Sequence, residues 1–182
     1  MRRLATGVAV LLSLPALAAD LVHGEAAGLR FSVPRAWTRV PASSDVRAAQ
    51  WRLGRAPGDP EDGEIILFFA GAGKGGGTQE NVDRWITQFA QPDGRPSRET
   101  AVVTKRSVNG LEVTAVDLAG TYRAGPSSDG PLPPPKRGFR ILAAAVDGDG
   151  GPWFFTAIGP DRTIAAAKPG FDAMLDSLAT LH

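Results

Sequence analysis

Alternating apolar and polar residues predict a series of β-strands in the first half of the chain. Ala49, Trp51 and Leu53 fall on one face of a strand, because side chains two residues apart point the same way. Residues 31–34 alternate in the same manner and end at a proline, and residues 64–70 form a nearly continuous apolar run. Such a run is typical of a central strand that is covered on both faces.

The second half of the chain predicts four more strands in two antiparallel hairpins. Asn109 and Gly110 separate the first pair, and these residues tolerate the positive φ angles that a two-residue turn requires. The turn at 147–151, with the sequence DGDGG, separates the second pair. The four strands are predicted at residues 101–108, 111–121, 139–146 and 152–158.

Two segments have the apolar spacing of amphipathic helices. The shorter helix has Thr78 as a candidate N-cap. Its apolar stripe consists of Val82, Trp85, Ile86 and Phe89. The longer helix follows Asp161, a second candidate cap, and Pro169 within it predicts a kink or two abutting helices. Hairpins with helices between and after them predict an α+β fold, in which helices cover an antiparallel β-sheet.

Residues 1–18 have the three parts of a cleavable signal peptide. Arg2 and Arg3 give a positive start, residues 4–17 are almost wholly apolar, and Ala16-Leu17-Ala18 matches the small-x-small pattern of a cleavage site. The apolar run is too short for a membrane-spanning helix. We therefore predict cleavage after Ala18 and export to the periplasm or out of the cell.

Removal of this leader would leave a nearly neutral chain without cysteine. It lowers the Lys plus Arg count from 20 to 18 against 19 acidic residues, so the net charge changes from +1 to −1. A nearly neutral protein lacks the basic patch that nucleic-acid binding requires, so no nucleic-acid partner is predicted. No later apolar run is long enough to span a membrane. The lack of cysteine excludes disulfides, a thiol nucleophile and thiolate metal sites.

The length of the chain is typical of one domain. After the signal peptide at 1–18, we predict a flexible N-terminal segment at 19–28 and a single domain at 29–182. The sequence does not indicate an oligomeric state.

No catalytic, cofactor-binding or metal-binding constellation emerges from the sequence. Residues 71–76 formally match G-x-G-x-x-G, but all the glycines precede the predicted helix and hairpins follow instead of a βαβ unit. The only histidines, His23 and His182, lie near the ends of the mature chain, where a catalytic base is poorly held. Asp147 and Asp149 lack the further oxygen ligands of a calcium loop. We therefore predict a protein without enzymatic activity and without a cofactor.

Two loops are candidate contact surfaces for a protein partner. The glycine-rich loop at 71–77 precedes the first helix, and the segment at 125–138 is too proline-rich for a strand. An extended proline segment docks into partner grooves in many complexes, but it also serves as a stiff connector, and both roles fit the sequence. The candidate contact residues are Gly73, Lys74, Gly76, Pro133, Pro134, Pro135, Lys136 and Arg137.

The order of several landmarks resembles a family of uncharacterised exported bacterial proteins with a PsbP-like fold. The landmarks are FSVPRAW (31–37), WRL (51–53), ENVDRWITQF (80–89), DLAGTY (117–122), WFFTAIGP (153–160) and FDAMLDSL (171–178). The photosystem II extrinsic subunit PsbP and a Ran-binding nuclear import factor share this fold. The resemblance implies an α/β/α sandwich with about six to seven antiparallel strands, and relatives that are mostly binding or assembly factors. It transfers no functional residue to this chain.

Two functions from different classes follow. The first is a non-catalytic exported module that binds a protein partner through its loops. The second is an exported enzyme or small-ligand-binding protein that uses a cleft between sheet and helix, with carboxylates, Arg84, Tyr122 or Arg140 in the cleft. A concave pocket with converging polar groups would favour the second function, and a flat surface rimmed by loops would favour the first.

Overall fold

A large antiparallel sheet with helices on its faces dominates the computed structural model, which describes residues 20–124 and 133–181. The described residues form eleven strands, two α-helices and a 3₁₀ turn at Ser97–Glu99. The strands are β1 (Leu21–Ala26), β2 (Leu29–Pro34), β3 (Thr38–Val40), β4 (Arg47–Leu53), β5 (Gly63–Phe68), β6 (Phe89–Ala90), β7 (Val102–Val108), β8 (Leu111–Tyr122), β9 (Lys136–Asp147), β10 (Trp153–Pro160) and β11 (Ala179–Thr180). The helices are α1 (Thr78–Thr87) and α2 (Asp161–Asp176).

The main sheet has eight strands, in the order β3-β4-β5-β10-β9-β8-β6 with β7 also beside β8. A second sheet has three strands in the order β1-β2-β11. The predicted α+β fold with an antiparallel sheet and helices is confirmed. The strand count is higher than the predicted six to seven because β1, β3, β6 and β11 are short or poorly patterned, so alternation does not reveal them.

The predicted hairpin around Asn109 and Gly110 is confirmed. Their φ angles are 49° and 82°, as a type I′ turn requires, and β7 and β8 pair in register on either side. The neighbouring strand pairs β8–β9 and β9–β10 continue the antiparallel ladder and place long apolar strands at the centre of the sheet.

The two faces of the main sheet bury different cores. On one face, α2 and β2 pack against inward-facing residues such as Trp51 and Phe155, and these side chains are almost fully buried. On the other face, α1 packs against β8, β9 and the neighbouring Phe154 of β10. Three members of the predicted stripe, Val82, Trp85 and Ile86, are buried on α1, whereas Phe89 is buried in β6, because the helix ends at Thr87. Because α1 has only ten residues, it leaves the β4–β5 side of this face uncovered.

The prediction of a flexible segment at 19–28 is wrong for most of its length. Leu21–Ala26 forms β1, which pairs with β2 along six residue pairs. Val22 packs against the core of the α2 face, while Leu21 and His23 point outward. With so few inward apolar residues the strand has a weak pattern, and its pairing depends on the tertiary contacts of β2.

Neither of the two predicted helix caps forms. Thr78 is the first residue of α1, after Gly77, and its hydroxyl donates a hydrogen bond to the Asp147 carboxylate. Asp161 is likewise the first residue of α2, after Pro160, and its carboxylate accepts a hydrogen bond from Arg140 at 2.8 Å. Both side chains are therefore used in contacts between distant elements.

Two element boundaries also differ from the prediction. Strand β9 begins at Lys136, so residues 136–138 belong to the sheet and only the preceding prolines remain in the loop. Helix α2 continues through Pro169 as one helix. The ring of Pro169 frees the carbonyl of Ala165, and both residues are exposed, so water can hydrate that carbonyl without breaking the helix.

Candidate binding groove

An open cavity of about 420 Å³ lies between α1 and the uncovered part of the main sheet. We call it the α1 groove. Its floor is mostly apolar and consists of Ile66, Phe68, Ile141, Phe154, Thr156 and Ile158. Ile66 and Phe154 are buried by their neighbours, whereas Phe68 and Ile158 remain half-buried. The volume is within the roughly 300–1,000 Å³ range of small-molecule sites.

One face of α1 forms the wall of the groove. Asn81, Arg84, Trp85 and Gln88 line it, and their spacing of three, four and seven residues places them on one side of the helix. Trp85 contributes to both the core and the groove, with its ring edge-on to Phe154 at 6.3 Å between centroids. Arg84 donates to Glu80 at 2.9 Å and to the Asn81 side chain at 3.0 Å, so its guanidinium is held along the wall.

A β-bulge directs Arg47 into the groove. Strict alternation along β4 would place Arg47 on the same face as Ala49 and Trp51, towards α2. The register of β4 against β5 shifts between Arg47 and Ala49, so that Arg47 pairs with Phe68. Bulges of this kind turn a side chain to the opposite face of a sheet. The Arg47 guanidinium consequently lies over the Phe68 ring, 5.6 Å from its centroid, and lines the groove.

Glu64 and Tyr122 line the part of the groove that adjoins a second, smaller cavity. Glu64 accepts a hydrogen bond from the Gln50 side chain at 3.1 Å, and its carboxylate is 3.6 Å from the Arg47 guanidinium. Burial raises the pKa of Tyr122 above its ordinary value, and the negative charge of Glu64 raises it further. The Tyr122 hydroxyl is therefore a neutral donor at physiological pH.

A smaller cavity of about 240 Å³ continues the groove beyond Tyr122 and shares Glu64 and Ile158 with it. Glu61, Asp62 and Lys136 line this extension, and Lys136 forms an ion pair with Glu61. We call the Arg47 side of the groove its basic end and the extension with Glu61 and Asp62 its acidic end, and Glu64, which lies near Arg47, lines both cavities.

The glycine-rich loop closes the basic end of the groove. The Gly73 N–H donates to the Gly151 carbonyl at 2.9 Å, and the buried Asn81 side chain donates to the carbonyls of Gly75 and Gly77 at 3.1 Å each. Gly75 has a φ of 97°, and a Cβ there would come within 2.8 Å of the Phe154 ring. Only glycine satisfies both constraints, so the loop is seated directly on the groove floor.

Comparison with solved structures identifies the fold. The chain is similar to the solution structure of cyanobacterial PsbP (CyanoP) from Synechocystis sp. PCC 6803, with 15% identity, a TM-score of 0.51, and coverage of 96% of this chain and 98% of that one. The chain has the PsbP-like fold. No family model and no curated protein matches the sequence.

A second solved structure with a lower score is that of PA94 from Pseudomonas aeruginosa, a protein of unknown function described as a putative regulator. It is 8% identical, its TM-score is 0.47, and the match covers 89% of this chain and 98% of that one. The fold rests on the likeness to CyanoP, and at 15% identity that likeness transfers no residue role.

The predicted contact residues lie around the α1 groove more than within it. Gly73, Lys74 and Gly76 are exposed in the loop at the basic end, but the residue that lines the groove is Gly75. At the acidic end Lys136 lines the smaller cavity, whereas Arg137 and Pro133, Pro134 and Pro135 are exposed outside it. Residues 125–132 of the predicted proline-rich loop lie outside the described residues.

The alternative prediction of a cleft between sheet and helix named three residues, of which the structure brings two together. Arg84 and Tyr122 both line the α1 groove. Arg140 lies on the opposite face of the sheet, where it bonds Asp117 and Asp161. The prediction includes carboxylates without singling out Glu64, and it does not include Arg47. Glu64 is marked only as the polar start of an apolar run, and no signal in the sequence reveals the bulge that turns Arg47.

The groove offers hydrogen-bonding and apolar contacts. Within residues 20–124 and 133–181, no group of three histidine or carboxylate side chains is placed to hold a metal ion. In the same part of the chain, no helix is long and apolar enough to cross a membrane. What the described residues do provide is a wide apolar floor with a few fixed polar groups, an arrangement suited to binding.

Proposed function

We propose that this protein is an exported, non-catalytic module that binds a small, largely apolar ligand in the α1 groove. The supporting observation is the cavity of about 420 Å³ beside α1, in which Phe68 and Ile158 of the apolar floor remain half-buried beside fixed polar side chains. Apolar surface of this kind gains free energy when a ligand covers it, at roughly 25 cal/mol per Å². Polar groups at the rim then orient the ligand.

The lining of the groove favours binding over catalysis. Glu64 is the carboxylate that lines the larger cavity, and it is already engaged by Gln50 and Arg47. Tyr122 is a neutral phenol with a raised pKa, so it does not serve as a base near neutral pH. These side chains can fix the position of a polar group, but they do not form a pair of nucleophile and base.

A change that fills the groove tests this function. Ile158 is half-buried and lines both cavities, so Ile158→Trp should obstruct the floor with little disturbance of the core. Anilinonaphthalene sulfonate should bind the purified protein with increased fluorescence, and Ile158→Trp should weaken that binding at least about tenfold. The matched control is Val102→Trp, which adds the same ring at an exposed site on β7.

Equal binding of the dye by Ile158→Trp and the unchanged protein would contradict this proposal, because the dye would then occupy another surface. Absence of dye binding by the unchanged protein would contradict it as well. Circular dichroism of both variants shows whether they keep the fold.

Export is the second part of the proposal, and the signal-peptide pattern of residues 1–18 supports it. N-terminal sequencing of the protein from the envelope fraction of its native cell should give a chain that begins at Ala19. A chain that retains residues 1–18 in the cytoplasmic fraction would contradict export.

A protein partner is the second candidate function. The exposed residues at both ends of the groove favour it, namely Gly73, Lys74 and Gly76 at one end and Pro133, Pro134, Pro135 and Arg137 at the other. If the purified protein binds no apolar probe but retains a specific protein after crosslinking in its native envelope, this function replaces the first.

A further inference from the structure

Arg47 is a mostly buried cation whose hydrogen-bonding capacity the fold leaves unused. Its side chain is 25% exposed, and its guanidinium makes no hydrogen bond with any residue of 20–124 or 133–181. The Glu64 carboxylate, at 3.6 Å, is too distant for one. Arg84, on the opposite wall of the groove, differs because two acceptors at 2.9 and 3.0 Å already hold it.

The position of Arg47 requires a local departure from regular strand structure. Without the bulge between Arg47 and Ala49, this side chain would enter the packed core on the α2 face. The bulge instead brings the guanidinium to the groove, over the Phe68 ring and 5.6 Å from its centroid. A planar guanidinium held in this way presents a fork of donors that matches a carboxylate.

We propose that the ligand of the α1 groove is an organic carboxylate, whose charged group Arg47 receives and whose apolar body covers Phe68 and Ile158, the half-buried residues of the floor. This inference rests on the proposed function of the groove. Arg84 is already paired with Glu80 at 2.9 Å, whereas Arg47 has only Glu64 near it, at 3.6 Å, so Arg47 is the cation of the lining that can donate to a ligand.

The charge distribution also sets the direction of the ligand. Glu61 and Asp62 line the extension beyond Tyr122, where Lys136 offsets only one of them, so an anion is disfavoured there. The carboxylate therefore lies at the Arg47 end, beside the glycine-rich loop. The apolar body extends from it along β10 towards Ile158.

Calorimetric titration with three probes of equal chain length tests this inference: decanoate, decanol and decylamine. Decanoate should bind the purified protein at least about tenfold more tightly than decanol, because charge-assisted hydrogen bonds are the stronger kind. Decylamine should bind more weakly than decanol. Arg47→Gln should remove the preference for decanoate, and Arg47→Lys, which keeps the charge without the planar fork, should retain part of it.

Arg52→Gln is the matched control. Arg52 lies on the same strand, its substitution changes the net charge equally, and it does not line either cavity. This variant should keep the full preference for decanoate. If Arg52→Gln lost the preference as well, the effect would come from overall charge and the inference would be overturned.

The outcomes separate this inference from the function on which it rests. If all three probes bind with equal affinity and Arg47→Gln changes nothing, the groove is an apolar site and the carboxylate assignment is overturned. If decylamine binds most tightly, the acidic end governs recognition and the assignment is again wrong. If no probe binds, the proposed function fails together with the inference.

Discussion

Two arginines on opposite faces of the main sheet have the same exposed fraction of side chain, 25%, but very different surroundings. Arg140 faces α2 and donates to Asp117 at 2.6 Å and to Asp161 at 2.8 Å. Arg47 faces the α1 groove, and its nearest carboxylate is 3.6 Å away. Arg140 thus joins elements of the fold, whereas Arg47 makes no hydrogen bond with the described residues, which is the contrast on which the proposed carboxylate site depends.

The pKa of Arg140 reflects its structural role. Burial by itself lowers the pKa of a guanidinium, but the hydrogen bonds and negative charges of Asp161 and Asp117 outweigh burial and raise the pKa above its ordinary value. Since Asp117 belongs to β8, Arg140 to β9 and Asp161 to the start of α2, this cluster fixes the helix against the sheet.

Substitution of Arg140 should therefore reduce the stability of the fold more than substitution of Arg47. Arg140→Gln leaves Asp117 and Asp161 without their cation, so it should lower the free energy of unfolding by about 2 kcal/mol. Arg47→Gln removes a cation–π contact and one long ion pair, so it should cost less than about 1 kcal/mol. Urea unfolding monitored by tryptophan fluorescence measures both.

Equal losses in the two variants would remove the contrast, because Arg47 would then be as structural as Arg140. A double variant of Asp117→Asn with Arg140→Gln provides the internal check. It should lose less than the sum of the two single losses, since the two side chains act on each other directly.

The parts of the fold that the sequence predicts are those that depend on local patterns rather than on distant contacts. The stripe of α1 and the Asn109-Gly110 hairpin are governed by local patterns, and both are confirmed, the stripe as far as Ile86. The small sheet formed by β1, β2 and β11 is not predicted, because its outer strands depend on contacts with residues far away in the sequence. Strands that pair through such distant contacts need not alternate apolar and polar residues, so the sequence pattern does not reveal them.

Prediction of the groove depends on helix length and strand register. The sequence predicts a cleft between sheet and helix as one alternative, with Arg84 and Tyr122 in it. It does not predict Arg47 in that cleft, because alternation through Ala49 and Trp51 assigns Arg47 to the other face of the sheet. A single bulge turns the Arg47 side chain to the opposite face, and the pattern of apolar and polar residues does not reveal the one extra residue of a bulge.

The smallest expected effect concerns Tyr122, the only tyrosine of the chain, whose ultraviolet absorbance can be titrated without interference from another phenol. Its pKa should lie above the ordinary value of 10.0, because burial and the charge of Glu64 both favour the neutral phenol. Glu64→Gln removes the second cause and should bring the pKa partly back towards 10.0. Glu112→Gln is the control, since Glu112 is exposed near the far end of the same strand.

The sign of the effect on stability follows from the raised pKa. Above pH 10.0 the unfolded chain loses the phenolic proton before the folded protein does, so the folded state binds more protons and stability falls as the pH rises through the folded pKa. Below pH 10.0 the phenol is neutral in both states, so the contribution of Tyr122 to stability is fully present. If Tyr122 titrated at its ordinary value, the phenol would be hydrated. If Glu64→Gln and Glu112→Gln shifted the pKa of Tyr122 equally, the phenol would be remote from Glu64. In either case the pKa of Tyr122 would no longer distinguish the acidic end of the groove from its basic end.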